Sequence, residues 1–306
     1  MSVASFRHDA LLYTGTDDLI EQLLPFARDG LDAGDAVLVA LEASKLTRLR
    51  AALGADAARV HFLDMHVIGR NPARILAAWQ DFAAAEAAPG RTLRGVGEPL
   101  WPGRGIDELD ECERHEALLN VAFADRDDFW LVCPYDVAAL DDNAIACSYV
   151  THPVVVEDGH PAPSSRYVAD PDILDGALAE PVASPDVLAF ASASLSDVRR
   201  LVVDRAEAVG VGPSRARELM FAVNEAATNS IRHGGGNGEL RLWHDGRTLW
   251  YEVRDQGEIH DPFVGRRRPV PGQVGGYGLW LINGLADLTQ IRSSPGRSVV
   301  RMRFAA

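Results

Sequence analysis

A glutamate and an asparagine stand four residues apart in the stretch VNEAATNSIRHGGG, residues 223–236, at Glu225 and Asn229. On a helix that spacing stacks the two side chains one turn apart on one face. A carboxylate there can take a proton from a hydroxyl, and an amide oxygen is a hard ligand suited to Mg²⁺. Three glycines follow at once, so the helix stops beside its polar pair instead of covering it. The same spacing recurs in EALLN, Glu116 to Asn120. No glycine loop follows that copy, and it reads as a half-exposed helix face.

A second group lies in TLWYEVRDQGE, residues 248–258. Period-2 alternation puts Leu249, Tyr251, Val253 and Asp255 on one strand face, with Trp250, Glu252 and Arg254 on the other. A carboxylate pointing coreward needs donors. The amino group of a buried base would supply one, and a turn capped by the strand-end aspartate is the other reading. Gly257 permits close backbone approach just beyond. A third group, VGGYGLWLINGLAD, sets Gly275, Gly276 and Gly278 before an apolar helix expected to start near Leu279. Free N–H groups at such a helix start can cradle a phosphate chain, or the glycines can form a flexible loop before a core helix.

These groups need elements to hold them. After residue 186 the pattern reads strand VLAFAS, helix 195–209, helix 213–233, strands GELRLWHD and TLWYEVRD joined at Asp245–Gly246, helix 279–287, then strands LTQIRSS and SVVRMRFA joined by PGR. Helices bunch and strands pair as hairpins, which predicts an α+β sandwich: one mixed sheet with helices on one face. On helix 213–233 the apolar stripe Met220, Val223, Ala227 and Ile231 should face the core. Ahead of residue 157 the pattern differs. Apolar strands ALLYT, AVLVAL, VHFLD, TLRGVGEP and FWLVCPYD alternate with helical segments, the first opening on a Thr–Asp cap and closing at Gly34. That alternation predicts an α/β domain with a mostly parallel sheet. Residues 157–185, rich in Pro, Ser, Asp and Ala, read as linker between a domain over 6–156 and one over 186–306.

Charge is uneven. Residues 1–181 carry 31 acidic and 14 basic side chains, residues 182–306 carry 13 and 16, and the whole chain of 306 residues is at −14. An acidic front half argues against a nucleic-acid partner. No long apolar run predicts a membrane span, and the start MSVASFRHDALLY lacks the build of a signal peptide. Cys112, Cys133 and Cys147 are too few and too scattered for a disulfide frame or a zinc site, which places the chain in the cytoplasm with reduced thiols. His8, His115, His152, Glu113 and Glu116 read as satisfied structural groups. The single lysine, Lys45 in EASKLT, has no glycine before it and no Ser or Thr directly after, so no Walker-type phosphate loop is expected.

The three back-half groups, in one order and on suitable elements, resemble the GHKL (Bergerat) ATP-binding fold: an N box in NEAATNSIRHG, a G1 box in DQG and a G2 box in GGYGLWL. The resemblance implies ATP and Mg²⁺ as cofactors. It implies Glu225 as general base, Asn229 as the metal ligand, and Asp255 as acceptor of the adenine amino group. Gly257, Gly276 and Gly278 would line base and phosphates, and His233, Gly275 and Leu279 complete the implied binding set. The short closing strands resemble those of the anti-sigma regulatory kinases. FRHDALLY, PFARDGLDAGDAVLVA, ERHEALLN and LVCPYD resemble a MEDS sensory domain, RecA-like in fold, and the whole chain resembles RsbA-type anti-sigma regulators. That family implies phosphoryl transfer to a serine of an STAS-type anti-anti-sigma protein, binding of a sigma factor, and a homodimer. ATP-gated sequestration without transfer and a sensor histidine kinase are the alternatives. One departure stands out: the fuller G1 pattern has a second glycine where this chain has Ile259. Arg266, Arg267 and Arg268 in the short lid could touch phosphates or an acidic partner, or form a solvated loop.

Overall fold

The computed structural model describes residues 6–170, 176–181, 183–270, 272 and 276–305. The chain divides into two compact units, Met1–Leu174 and Asp175–Ala306.

The first unit is a seven-stranded sheet. Its strands are β1 (Arg7–Tyr13), β2 (Ala36–Leu41), β3 (Val60–Asp64), β4 (Leu93–Gly97), β5 (Phe129–Asp136), β6 (Val154–Glu157) and β7 (His160–Pro163), in the order β3-β2-β4-β5-β1-β6-β7. All neighbours run parallel except the edge hairpin β6–β7. The helices are α1 (Gly15–Ala33), α2 (Ala43–Leu53), the short α3 (Met65–Ile68), α4 (Ile75–Ala85), α5 (Ile106–Ala122) and α6 (Asp142–Thr151). Strand β2 is buried at every position, as a central parallel strand covered on both faces must be. Helix α1 starts one residue before the expected Thr16. Asp18 caps it by accepting from the Thr14 backbone N–H at 2.7 Å, and Gly34 closes it in the left-handed region at φ 83°. No phosphate loop follows β1: the first turn of α1 carries Asp17 and Asp18 instead.

Ordered structure enters the segment read as linker from both sides. Strand β7, sequence HPAP, adds an exposed edge with prolines where an edge tolerates them. The boundary between units falls inside that segment, and residues 176–180 pack onto the second unit: the Ala179 carbonyl accepts from Arg301 at 2.9 Å, and Glu180 bridges Arg241 and Arg254 at 2.8 Å each.

The second unit has β8 (Asp186–Ala191), α7 (Leu195–Ala208), α8 (Pro213–His233), β9 (Asn237–Asp245), β10 (Thr248–Asp255), α9 (Tyr277–Leu285), β11 (Leu288–Ser294) and β12 (Arg297–Ala305). Its sheet, β11-β12-β10-β9-β8, is antiparallel throughout, not mixed. The reason is the helix pair. Two antiparallel helices between β8 and β9 return the chain to the end it left, so β9 must run back along β8. The core joins Leu249, Tyr251 and Val253 of β10 to Leu219, Ala222, Val223, Ala226 and Ala227 of α8. Val223 and Ala227 of the expected stripe are buried, while its two ends, Met220 and Ile231, are only partly buried. Ala222 and Ala226 are small enough to let the helix lie close on the sheet, which leaves Glu225 and Asn229 half-buried at its edge.

Candidate functional site

The end of α8 and the end of β10 are tied together, and the site grows from that junction. Gln256 donates its backbone N–H to the Gly234 carbonyl at 3.3 Å. Asp255 then lies beneath the helix end. Its Oδ2 accepts from the Ser230 hydroxyl at 2.5 Å; its Oδ1 accepts from the Ser298 hydroxyl at 2.7 Å and from the Gly257 backbone N–H at 2.8 Å. Each carboxylate oxygen offers two acceptor positions. Oδ1 is filled, and Oδ2 keeps one.

Around this carboxylate the backbone comes very close. A Cβ on Gly234 would stand 2.3 Å from Asp255 Cγ, and one on Gly257 would stand 2.8 Å from the His233 carbonyl oxygen. These are positions that only glycine can fill. A Cβ on Gly278 would stand 3.1 Å from Asn229 Nδ2 and 3.2 Å from Glu225 Oε2, so the G2-like glycine passes directly over the polar pair of α8.

A cavity of about 350 Å³ opens here, within the usual size range for small-molecule sites. Asn229, His233, Asp255, Gly257, Gly276, Gly278 and Leu279 all line it, with Ala226, Val264 and Val300 among its apolar walls. Glu225 does not line it and sits just beyond Gly278. Gly275 lies outside the described residues. Helix α9 begins at Tyr277, two residues earlier than expected, with Gly276 as its N-cap at φ 82°. Gly278 therefore belongs to the first turn, and the free N–H groups of that turn lie at the mouth of the cavity. The lid is pinned to α9: Asn283 Nδ2 donates to the Gly265 carbonyl at 2.7 Å. Of the three lid arginines, Arg266 is buried, Arg267 stacks on Phe263 and Arg268 lies over Trp280. Arg267 and Arg268 stay exposed despite these ring contacts, so only Arg266 departs from a solvated run.

Wall, acceptor and glycine cradle suit an adenine nucleotide. A planar base can slide between Ala226, Val264 and Val300 and donate its amino group to Asp255 Oδ2. Asn229 would face the metal, and the α9 N-terminus the phosphates.

Among the described residues of the first unit, two buried polar clusters stand out. Lys45 Nζ donates to Glu98 Oε1 at 2.7 Å and to the Tyr13 hydroxyl at 2.8 Å, and the Tyr13 hydroxyl donates to Glu98. Burial pushes the Glu98 carboxyl up while Lys45 pulls it back. The lysine is thus spent inside the fold. The second cluster joins His8, Glu116, Cys133 and His152. Glu116 is fully buried, not half-exposed, and half-buried Asn120 one turn on holds His8 through its side-chain oxygen at 3.1 Å. Burial pushes the Cys133 thiol up. Nearby, burial lifts Glu113 to about 7, against a hydrogen bond with Cys147. From sequence Cys133 is only a scattered thiol, because His8, whose ring lies against it, is 125 residues away along the chain.

A face of three helices, α7, α8 and α9, on an antiparallel sheet, with a carboxylate-floored cavity between α8 and α9, defines an ATPase domain of the GHKL type. Residues 188–304 match the family model described as histidine kinase-like ATPase domain, and residues 7–153 match that of MEDS, the methanogen/methylotroph DcmR sensory domain. The chain carries an N-terminal MEDS domain followed by a C-terminal histidine kinase-like ATPase domain. No curated protein matches the chain. Among solved structures, the RsbU and RsbW domains of Rv1364c from Mycobacterium tuberculosis are 15% identical, over 39% of this chain and 32% of that one, with a TM-score of 0.30. The histidine kinase AdeS of Acinetobacter baumannii is 10% identical, over 39% and 67%, with a TM-score of 0.24. The chain spans about a third of the first structure, and likenesses this loose carry no argument. Among the described residues no helix is long and apolar enough to cross a membrane.

Proposed function

We propose that this protein is an ATP-dependent regulatory kinase of the anti-sigma type. It phosphorylates a serine of an STAS-type anti-anti-sigma partner and binds a sigma factor, with the MEDS domain as its sensory module. The observation that carries the reading is the Asp255 carboxylate at the cavity wall, with one acceptor position left after Ser230, Ser298 and Gly257 are counted.

Bound ATP with Mg²⁺ supplies the phosphoryl group and the charge that neutralises it. Asp255 selects adenine by accepting from its amino group. The Asn229 side-chain oxygen orients the metal, and the N–H groups at the start of α9 hold phosphate oxygens. Glu225, outside the cavity on the far side of Gly278, stands where a partner's serine would arrive and accepts its hydroxyl proton. Sequestration without transfer is the second reading. It is favoured by Ile259 at the position of the second G1 glycine, which narrows the loop flanking the base.

Labelled ATP incubated with purified anti-anti-sigma candidates separates these readings. Acid-stable label on the partner, lost in Glu225→Gln with nucleotide binding kept, supports the kinase. A tight sigma-factor complex with no label on any partner supports sequestration, and acid-labile label on the chain itself supports a histidine kinase.

A further inference from the structure

Four side chains from four elements meet inside the MEDS domain: His8 on β1, Glu116 on α5, Cys133 on β5 and His152 just past α6. None is more than 1% exposed. His8 Nε2 lies 3.1 Å from Glu116 Oε2 and 3.3 Å from Cys133 Sγ, and His152 Nε2 lies 3.5 Å from Glu116 Oε2. One ligand atom from each residue falls within 4.8 Å of all the others.

The tautomers follow from the surroundings. His152 Nδ1 faces the Ser148 carbonyl at 2.9 Å, and a carbonyl can only accept, so Nδ1 carries the proton. Asn120 donates its Nδ2 to the Thr151 carbonyl at 2.8 Å, which fixes its oxygen toward His8 Nδ1 at 3.1 Å, so that nitrogen is protonated too. In neutral imidazoles both Nε2 atoms then present lone pairs to a carboxylate and a sulfur. The Cys133 S–H can donate to His8 Nε2, but Glu116 Oε1 and His152 Nε2 have no hydrogen-bond partner, and lone pairs facing lone pairs in a dry interior repel. Something positive belongs at the centre. A single proton between His8 and Glu116 would still leave His152 Nε2 and Glu116 Oε1 without partners, and protonating both rings would place two imidazoliums with centroids 4.1 Å apart against one carboxylate, a costly arrangement away from water.

We propose that His8, Glu116, Cys133 and His152 form a closed tetrahedral site for a divalent transition metal, Zn²⁺ fitting the donor set best. Bonds of about 2.0–2.3 Å at tetrahedral angles separate neighbouring ligand atoms by about 3.3–3.8 Å, close to the 3.1, 3.3 and 3.5 Å separations above and within the 4.8 Å that spans the set. Two neutral imidazoles, a carboxylate and a thiolate balance a 2+ ion. Cys133 gives up its thiol proton to solvent as the ion enters. Outer partners are in place, since each histidine is oriented by an oxygen on its other nitrogen. The ion would clamp β1 and β5 to α5 and the end of α6, the part of the domain that no phosphate site occupies.

Elemental analysis of the tag-free full chain, purified without chelator, tests this. About one equivalent of transition metal per chain is expected. Replacement by Co²⁺ should give intense visible bands of a tetrahedral ion and a near-ultraviolet thiolate band. Cys133→Ser should lose the thiolate band, and His152→Gln should weaken Co²⁺ binding at least tenfold. Should a variant not fold, the wild-type content and spectrum decide alone. A folded wild-type chain that holds no metal and takes up neither Zn²⁺ nor Co²⁺ at micromolar concentration overturns the proposal, as do spectra unaltered by Cys133→Ser.

Discussion

Gly278→Ala should push stability and nucleotide affinity in opposite directions. Gly278 sits in the first turn of α9 without a positive φ, so alanine fits the backbone. Removing a glycine from a helix gains about 0.5–1 kcal/mol. The new Cβ would lie 3.1 Å from Asn229 Nδ2 and 3.2 Å from Glu225 Oε2, against about 3.5–4.0 Å for unstrained contact. Both side chains are half-buried ends on the site's rim and can swing aside by roughly 0.4 Å at little cost. That movement matters only to a ligand. Magnesium holds its oxygens at about 2.0–2.1 Å in a strict octahedron, and losing the Asn229 contact should cost about 1.4 kcal/mol or more, a tenfold or larger rise in Kd. Calorimetry with Mg²⁺–ATP, beside thermal melts of the same sample, reads both. A melting temperature at or above wild type with at least tenfold weaker binding is expected. Unchanged affinity in a folded variant would show that Asn229 does not hold the metal.

Gly234→Ala, by contrast, should lose both stability and binding, because its Cβ would stand 2.3 Å from Asp255 Cγ; overpacking of this kind costs about 1–3 kcal/mol, read by urea unfolding and calorimetry. Lys45→Met should destabilise the MEDS domain by about 3–5 kcal/mol by stranding the buried Glu98 carboxylate, and Lys45→Met with Glu98→Gln should recover most of that loss in urea melts. Glu113 titrates at about 7 in the folded chain against a reference of 4.5. Between those values the folded state holds a proton that the unfolded state has released, so stability falls as pH rises through this window. Glu113→Gln should flatten that slope in chemical denaturation measured across it; an unchanged slope would place the titration elsewhere.

The ATPase domain was readable because its parts are local. Helix α8 runs from Pro213 at its first position to His233 before Gly234, the bounds that Pro and Gly signal, and β10 and β11 have the bounds of the runs TLWYEVRD and LTQIRSS. The start of α9 was misplaced by two residues because Gly278, a weak helix former, sits in the first turn for reasons of close approach to α8. In the MEDS domain, β2, β3 and β5 were legible as apolar runs with turns around them. Helix α6 was not: it shows no clear apolar stripe, and its one local signal is the Asp141 side chain accepting from the Ala144 N–H at 2.8 Å. The His8–Cys133 pairing was invisible in principle, since nothing local tells β1 that β5 will lie beside it. A count of cysteines does not reach this cluster, because three of its four groups are not cysteines.

The central claim is that Asp255 reads an adenine. Calorimetry of the full chain with Mg²⁺–ATP, for wild type and Asp255→Asn, tests it most directly. Asparagine preserves the shape and can still accept from Gly257 N–H, but offers an N–H where the base needs an acceptor. The account predicts magnesium-dependent binding of ATP over GTP in the wild type, and a loss of about 1.5–3 kcal/mol, roughly 10- to 150-fold, in the variant. No ATP binding by the folded wild-type chain, or equal affinity in wild type and variant, would contradict it.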